Sequence, residues 1–211
     1  YEDEDVLVIN KPSNMPTHPS MGNYENSLAN GVMYYYKSKG EERVFRAVNR
    51  LDKDTSGLMA VAKNSYIHAR LGEEIQKKEL KRKYMCIVCG DVERDGTVDA
   101  PIRRADGSVI NRIVAPDGQR AVTHYRVVKR YGEYTLLEME LETGRTHQIR
   151  VHMQYIGYPV YGDPKYGKKK DDQSHGQFLH AKKLGFIQLG IIPNGFLLPN
   201  GTYEDIIPHY I

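Results

Sequence analysis

The sequence predicts an α+β fold, in which mostly antiparallel strands combine with three or four helices. Short apolar runs are separated by glycine and Asp-Gly pairs, a pattern typical of antiparallel strands and hairpins. Three other segments carry apolar residues at helical spacing. The chain lacks the regular alternation of strand and helix that a doubly wound parallel sheet requires, which excludes that class.

In the first third of the chain, apolar patterns predict strands over residues 6–9 and 57–62. An extended, proline-containing loop follows the first of them. Residues 27–38 form a predicted helix that ends before a glycine, and residues 46–51 fit either a strand or a loop. Asn64 is a good N-cap for a helix that runs to about residue 79.

The remainder of the chain predicts short strands. Residues 83–88 form one, and residues 122–129 and 134–141 form a hairpin. Further hairpin turns are predicted at the Asp-Gly pairs 95–96, 106–107 and 117–118. A helix over residues 146–156, with Thr146 as its N-cap, precedes short apolar pieces that begin at residue 178.

The composition indicates one ordinary globular domain over residues 1–211, with 40% hydrophobic and 27% charged residues. Because the first residue is Tyr rather than Met, an N-terminal domain could precede this one. No apolar run reaches the length of a membrane span, and no secretory signal is visible. We therefore expect a cytoplasmic protein with no membrane partner.

Net charge and cysteine content leave several kinds of partner and site possible. The net charge of +3 permits a nucleic-acid partner without requiring one. Lysines and arginines cluster at residues 77–83 and 165–170, where a solvated surface and a phosphate contact are equally good interpretations. Cys86 and Cys89 have the spacing of a redox pair or of half a zinc site, but they lie in a predicted strand and no second pair exists. We interpret both as structural.

Residues 49–57, which read NRLDKDTSG, hold two carboxylates, two cations and two hydroxyl groups between apolar strands. This density indicates a functional loop. An ordinary turn with a surface ion pair between Arg50 and Asp52 explains the same residues equally well.

Residues 144–152, which read GRTHQIRVH, begin the last predicted helix. Arg145, His147 and Gln148 suit contacts to phosphate or to a base at a helix N-terminus. Arg150 lies beside a core-facing position, where an arginine usually has a carboxylate partner. Ordinary surface cations remain the alternative. His147 and His152 would point about 140° apart on a helix, which is poor for shared metal binding.

Taken together, these segments resemble the RluA/RluD type of pseudouridine synthase. Residues 50–57 match the family's Arg-Leu-Asp signature and residues 144–152 its second signature. Residues 1–12, 81–90, 161–167 and 179–181 match its other landmarks in the same order, so the resemblance covers nearly the whole chain. Asn49 is the one departure, because the family usually has a histidine there and asparagine cannot titrate near neutral pH.

The resemblance implies a pseudouridine-synthase-like mixed sheet with a central catalytic cleft, and an enzyme that isomerises uridine in structured RNA. It implies that Asp52 is the essential carboxylate, that Arg150 pairs with it and that Tyr84 lies against the target base. Arg50 would fill the space that the flipped base leaves. The other implied RNA or substrate contacts are Asn49, Lys11, Thr55, Arg145, His147 and Gln148, whereas Asp54 is interpreted as a turn residue.

The resemblance further implies no metal, no cofactor and no obligate protein partner. Ribosomal RNA is the preferred substrate, with transfer RNA as the alternative. Two other classes of function are a non-catalytic RNA-binding module and a metal-dependent hydrolase that acts on RNA. Release of tritium from C5 of the target uridine would separate the first from an enzyme, and RNA cleavage would reveal the second.

Overall fold

A computed structural model describes residues 1–77, 81–171, 175–184, 192–197 and 203–206. Its elements, in chain order, are β1 (Val6–Lys11), α1 (Leu28–Ser38), β2 (Ser56–Ala62), α2 (Ser65–Gln76), β3 (Arg82–Cys89), β4 (Gly96–Asp99), β5 (Ile102–Arg104), β6 (Arg112–Val114), β7 (Val122–Arg130), β8 (Tyr134–Leu141), α3 (Gln148–Tyr155), β9 (Leu179–Leu184), β10 (Ile192–Leu197) and β11 (Tyr203–Ile206).

Seven strands form one mixed sheet in the order β1-β2-β9-β3-β8-β7-β4. The β2–β9 pair is parallel and the other neighbours are antiparallel. β5 pairs with β6, and β10 with β11, in separate two-stranded hairpins. The α+β prediction is confirmed, because strands dominate the described chain and all but one of the neighbouring pairs in the large sheet are antiparallel.

The main core lies on the side of the sheet that carries α1 and α3. Residues of β3 that point to this side, such as Tyr84 and Cys86, pack with Val32 of α1 and with Ile149 and Met153 of α3. Because side chains alternate along a strand, Met85 and Ile87 point to the opposite side and form a separate cluster. α3 is therefore held against the face that Tyr84 shares.

Most of the predicted elements are present with shifts of a few residues. α2 ends at Gln76, and the predicted end of this helix near residue 79 falls outside the described residues. The Asp-Gly pairs at 106–107 and 117–118 lie in turns, but the pair at 95–96 does not. Gly96 instead begins β4, and Asp95 accepts a hydrogen bond from the backbone of Val127. Of the predicted apolar pieces after residue 178, those outside β9, β10 and β11 are not described.

Gly57, at the start of β2, permits the parallel pairing of β2 with β9. Its φ is +112°, and a Cβ atom there would lie 2.4 Å from the backbone of Ala181. Only glycine combines this backbone conformation with so close an approach. The sequence thereby brings β9 directly beside the strand that follows residues 49–55.

Cys86 and Cys89 are both buried and free of disulfide bonds. Burial raises the pKa of the Cys86 thiol above its ordinary range, and that of Cys89 to about 12. Both thiols are therefore protonated at neutral pH, which agrees with the structural role predicted for them. No helix in the described part of the chain is long and apolar enough to cross a membrane.

Candidate active site

A pocket opens where the loop before β2, the strand β3 and the start of α3 meet. It encloses about 380 Å³ of empty space, part of which is open to solvent. Its lining combines polar and apolar side chains: Arg50, Leu51, Asp52, Thr55, Tyr84, Leu141, Arg145, His147, Gln148, Ile149, Arg150 and Leu179. The two sequence segments of interest, which lie about a hundred residues apart, therefore form one site.

Asp52 and Arg150 make the central contact of this pocket. Nη1 of Arg150 donates to Oδ2 of Asp52 at 2.9 Å. The Arg150 side chain is 4% exposed, whereas that of Asp52 is 25% exposed on its pocket side. The contact predicted between these two residues is thus present, and the carboxylate remains accessible to a ligand. Asp54, the other carboxylate of the loop, does not line the pocket.

Asp163 holds the other side of the Arg150 guanidinium. Its two oxygens accept from Nε at 2.6 Å and from Nη2 at 2.8 Å, and its side chain is fully buried. Burial opposes ionisation of Asp163, but the hydrogen bonds and charge of Arg150 outweigh it and lower the pKa of the carboxyl group. Two backbone N–H groups, of Lys165 and Tyr166, also donate to Asp163. Arg150 therefore bridges two carboxylates.

Sequence reasoning assigned no role to Asp163. In the sequence it belongs to the matched segment 161–167, and the position of Arg150 near a core face indicates a carboxylate partner without identifying it. With both Asp52 and Asp163 as partners, the guanidinium has a fixed direction.

Tyr84 lies at the centre of the sheet, between Met139 on β8 and Ala181 on β9. It is 8% exposed, and its ring lines the same pocket as Asp52. Burial raises the pKa of the phenol above its ordinary value, and the Asp52 charge acts in the same direction while Arg82 opposes both. Tyr84 is therefore a protonated hydroxyl group on an apolar ring next to the carboxylate.

His147, rather than the predicted Thr146, is the N-cap of α3. Its backbone is left-handed, with φ at 58°, and no side chain caps the helix. The prediction of Thr146 was wrong. The helix begins one residue later, and the Thr146 hydroxyl accepts a hydrogen bond from Arg50 instead of one from the N–H groups of the first helical turn. The turn directs the His147 imidazole into the site, where Nε2 lies 3.8 Å from Oδ2 of Asp52.

Arg50 and Arg145 form the exposed rim of the pocket. Nη2 of Arg50 donates to the Thr146 hydroxyl at 2.8 Å, across the mouth of the site. Nε of Arg145 donates to the carbonyl of Arg120 at 3.0 Å. Both guanidinium groups face solvent beside the pocket, so their positions suit contacts to a polyanion.

Lys11 is buried rather than exposed, which corrects the prediction that it contacts an RNA backbone. It is fully buried, and its ammonium group donates to the carbonyls of Pro12, Met15 and Lys53 at 2.7–3.0 Å. Burial lowers its pKa to about 8, although nearby aspartates act in the opposite direction. Its three donors are used to tie the loop after β1 to the residue that follows Asp52, so a phosphate has no access to them.

Gln148 is likewise a structural residue rather than a base contact. Its amide nitrogen donates to the carbonyl of Val122 and to the hydroxyl of Thr123. Its amide oxygen accepts from the Arg145 backbone and from the Thr143 hydroxyl. All the hydrogen-bonding capacity of the side chain is thus used within the protein. A glutamine at this position predicts a polar contact, but the sequence does not indicate whether the partner is a ligand or the protein itself.

Asn49 and Thr55 support the loop that carries Asp52. The Asn49 amide donates to the carbonyl of Leu58 and accepts from the N–H of Ala60, both on β2. The buried Thr55 hydroxyl accepts from Gln177 at 3.0 Å, although Thr55 also lines the pocket. Asn49, which stands where the family usually has a histidine, therefore fixes the loop to the backbone of β2 through its side-chain amide.

The two basic clusters differ in their surroundings. Lys81 and Lys83 form ion pairs with carboxylates of β8, and residue 78 lies outside the described chain. Lys168, Lys169 and Lys170 are exposed. Among the residues that the structure describes, no three His, Cys, Asp or Glu side chains are placed to share a metal ion.

Comparisons with known proteins agree with this geometry. A sequence profile for the family described as RNA pseudouridylate synthase matches residues 5–155. The protein named Uncharacterized RNA pseudouridine synthase YlyB, from Bacillus subtilis, is 50% identical over 190 residues, which are 88% of this chain and 63% of that protein. Ribosomal large subunit pseudouridine synthase D from Pasteurella multocida is 45% identical over 163 residues, 77% of this chain and 50% of that protein.

The chain thus spans about half to two thirds of the length of these relatives. Among solved structures, human RNA Pseudouridylate Synthase Domain Containing 4 matches with a TM-score of 0.67 and 27% identity, over 87% of this chain and 82% of that one. Human RNA Pseudouridylate Synthase Domain Containing 1 matches over 100% of this chain and 82% of that one, with a TM-score of 0.73. At 21% identity, the latter similarity concerns the fold alone, and it agrees with the fold that the motifs predicted.

Proposed function

Because the chain belongs to the RNA pseudouridylate synthase family, and within it to the RluA/RluD type, we propose that it isomerises uridine to pseudouridine in structured RNA. The reaction breaks the N1–C1′ bond, turns the uracil and forms a C5–C1′ bond. The proton of C5 is lost and one is gained at N1, so the reaction needs no redox partner. It needs a carboxylate, a sheltered pocket and a way to hold the detached base.

We assign the carboxylate to Asp52. The observation that carries this proposal is the 2.9 Å contact with Arg150 in a pocket that Tyr84 also lines. Arg150 engages Oδ2, so Oδ1 is the carboxylate oxygen that this contact does not occupy. Asp52 would attack C1′ of the ribose or C6 of the uracil, or transfer a proton at the sugar.

The surrounding residues would bind the RNA and the displaced base. Tyr84 would stack on the uracil or act in proton transfer, since its ring and hydroxyl border the same pocket. Arg50, exposed at the rim, would occupy the space of the flipped nucleotide, because a guanidinium plane stacks on bases. Arg145 and the exposed lysines near residue 169 would contact phosphates, and these contacts would weaken with salt.

The assignment of Asp52 is tested with RNA that carries tritium at C5 of its uridines. We expect the wild type to release tritium and Asp52→Asn to release it at least about a hundredfold more slowly, with RNA affinity retained. The matched control is Asp54→Asn, which removes the neighbouring carboxylate that does not line the pocket and should leave the rate unchanged. Turnover of Asp52→Asn near the wild-type rate would sink the assignment.

For the RNA itself we propose ribosomal RNA in the cytoplasm, with no obligate protein partner, because relatives at 45% identity carry the name ribosomal large subunit pseudouridine synthase. Mapping pseudouridines in cells that lack the protein tests this proposal. Loss of a site in large-subunit RNA is the expected result. Loss of a pseudouridine in transfer RNA would identify transfer RNA as the substrate instead. Cleavage of RNA in vitro would favour a hydrolase.

A further inference from the structure

His147 contacts the candidate catalytic carboxylate from a strained backbone position. In the part of the chain that the structure describes, His147 and Asn14 are the non-glycine residues with positive φ. Such a conformation is unfavourable for a residue with a side chain and persists where the surroundings impose it, often at functional sites. Here it aims Nε2 at Oδ2 of Asp52, 3.8 Å away, on the same oxygen that Arg150 holds.

Tyr166 fixes the other side of the imidazole. Its hydroxyl lies 2.8 Å from Nδ1 of His147 and accepts the backbone N–H of Arg112, on β6, at 2.9 Å. Because that oxygen already accepts one hydrogen bond, its O–H can donate a hydrogen bond to Nδ1, and in that tautomer the imidazole hydrogen is on Nε2, facing Asp52. The Tyr166 ring also contacts the Arg150 guanidinium, whose Cζ is 5.0 Å from the ring centroid.

Four charged groups surround His147. Asp52 on the catalytic loop and Asp163 after α3 favour its protonated form, whereas Arg150 on α3 and Arg112 on β6 oppose it. Burial opposes it most strongly, so the pKa of His147 lies below its ordinary value. At neutral pH the imidazole is therefore uncharged, and its Nε2 lies beside the carboxylate at 3.8 Å, which is longer than a hydrogen bond. Protonation at acid pH would place a second cation there.

We propose that His147, anchored by Tyr166, is a positioning residue for Asp52. It keeps Oδ2 turned toward Arg150 and leaves Oδ1 to the substrate. It does so only as the neutral imidazole, because a second positive charge beside Oδ2 would hold the carboxylate too strongly for it to react. The inference rests on the proposed function, since it concerns the same carboxylate.

The test compares variants that separate the polar contact with Asp52 from titration of the imidazole. His147→Leu, which removes both, should lower kcat for tritium release by about tenfold to a hundredfold without a matching change in RNA affinity. His147→Gln retains an N–H donor that does not titrate. It should give an intermediate kcat, with the acid limb of the pH profile moved to lower pH than in the wild type. A merely structural role would not move that limb.

Tyr166→Phe tests the anchor and should also lower kcat, whereas Tyr155→Phe, an exposed tyrosine on α3, is the matched control and should not. Thermal unfolding of each variant identifies any that fail to fold. Wild-type turnover by His147→Leu, or coincident acid limbs for His147→Gln and the wild type, would overturn the proposal.

A second readout does not depend on turnover. In an NMR titration, Asp52→Asn should lower the titration midpoint of His147, because it removes a charge that favours the protonated imidazole. An unchanged midpoint would contradict the contact on which the inference is built. If the wild type released no tritium while this shift was observed, the proposed function would fail and the positioning contact would stand.

Discussion

At the scale of single residues, Arg150 binds two carboxylates at once, and this requires the planar shape of its guanidinium group. Its Nε and Nη2 bind Asp163 side by side, while Nη1 reaches Asp52 at 2.9 Å. A planar guanidinium presents these donors in fixed directions, whereas an ammonium is a compact point charge. The buried Asp163 thus sets the orientation of Arg150, and Arg150 sets the orientation of Asp52.

We therefore predict that Arg150→Lys retains the charge but loses the geometry. Lysine cannot bind both oxygens of Asp163 and reach Asp52 at once, so a buried acceptor loses a partner, which destabilises the fold by about 1–3 kcal/mol. Tritium release should fall by about a hundredfold, because misplaced groups of this kind have effects of that size. Urea unfolding and single-turnover assays measure the two effects.

The control for this prediction is Arg126→Lys. Arg126 is largely exposed and pairs with Glu138 at 3.4 Å, where exposed ion pairs contribute about 1 kcal/mol or less. It should leave both stability and turnover nearly unchanged. Equal turnover by Arg150→Lys and the wild type would show that the charge alone suffices.

At the scale of elements, the loop that carries Asp52 (residues 49–55) depends on how closely β9 approaches β2. The parallel pair is short, with Ser56 beside His180 and Gly57 beside Ala181. It begins directly after Thr55, so any displacement of β2 there is transmitted to the loop that carries Asp52. The missing side chain of Gly57 is what permits the approach.

Gly57→Ala should accordingly destabilise the protein by several kcal/mol, on the order of 2–4, because a Cβ atom would overlap the Ala181 backbone at an unfavourable φ. Gly72→Ala is the matched control, since Gly72 lies within α2 with no atom within 4 Å of the added methyl group. It should stabilise the protein by about 0.5–1 kcal/mol. Chemical denaturation measures both, and equal effects at the two positions would contradict this account.

The elements themselves were largely predictable from the sequence, for local reasons. Apolar periodicity located β2, β3, α1 and α3, and Asn64 caps α2 as expected. The start of α3 was not predictable, because the left-handed turn at His147 is imposed by contacts with residues distant in sequence.

The residue types of the site were predictable from the sequence, but the directions in which the side chains point were not. Asp52, Arg150 and Tyr84 meet as expected, since their spacing in the chain follows the family pattern. Lys11 and Gln148 were expected to contact RNA, yet both use their donors in hydrogen bonds within the protein, to backbone carbonyls and, for Gln148, also to the Thr123 hydroxyl. A lysine or glutamine in a motif suggests a polar partner, but only the packed structure determines whether that partner is a ligand or the protein's own backbone.

At the scale of the whole molecule, buried histidines make stability depend on pH. Burial lowers the pKa of His152 and of His147, and it lowers that of His180 to about 4. The unfolded chain, with histidine pKa values near 6.5, therefore binds more protons than the folded chain between those values. Stability contributed by the neutral imidazoles is complete above about pH 6.5 and is lost as pH falls toward 4.

We predict that His180 alone accounts for about 2 kcal/mol of the stability lost between pH 7.5 and pH 5, given the pKa of about 4. His180→Gln removes the titration, so its unfolding free energy should decline less steeply over this range by that amount. His68→Gln, an exposed histidine on α2, should follow the wild type. Urea unfolding at both pH values measures the difference. Parallel declines for His180→Gln and the wild type would mean that the imidazole takes up its proton in the folded state, and that the core around β2 and β9 admits the charge.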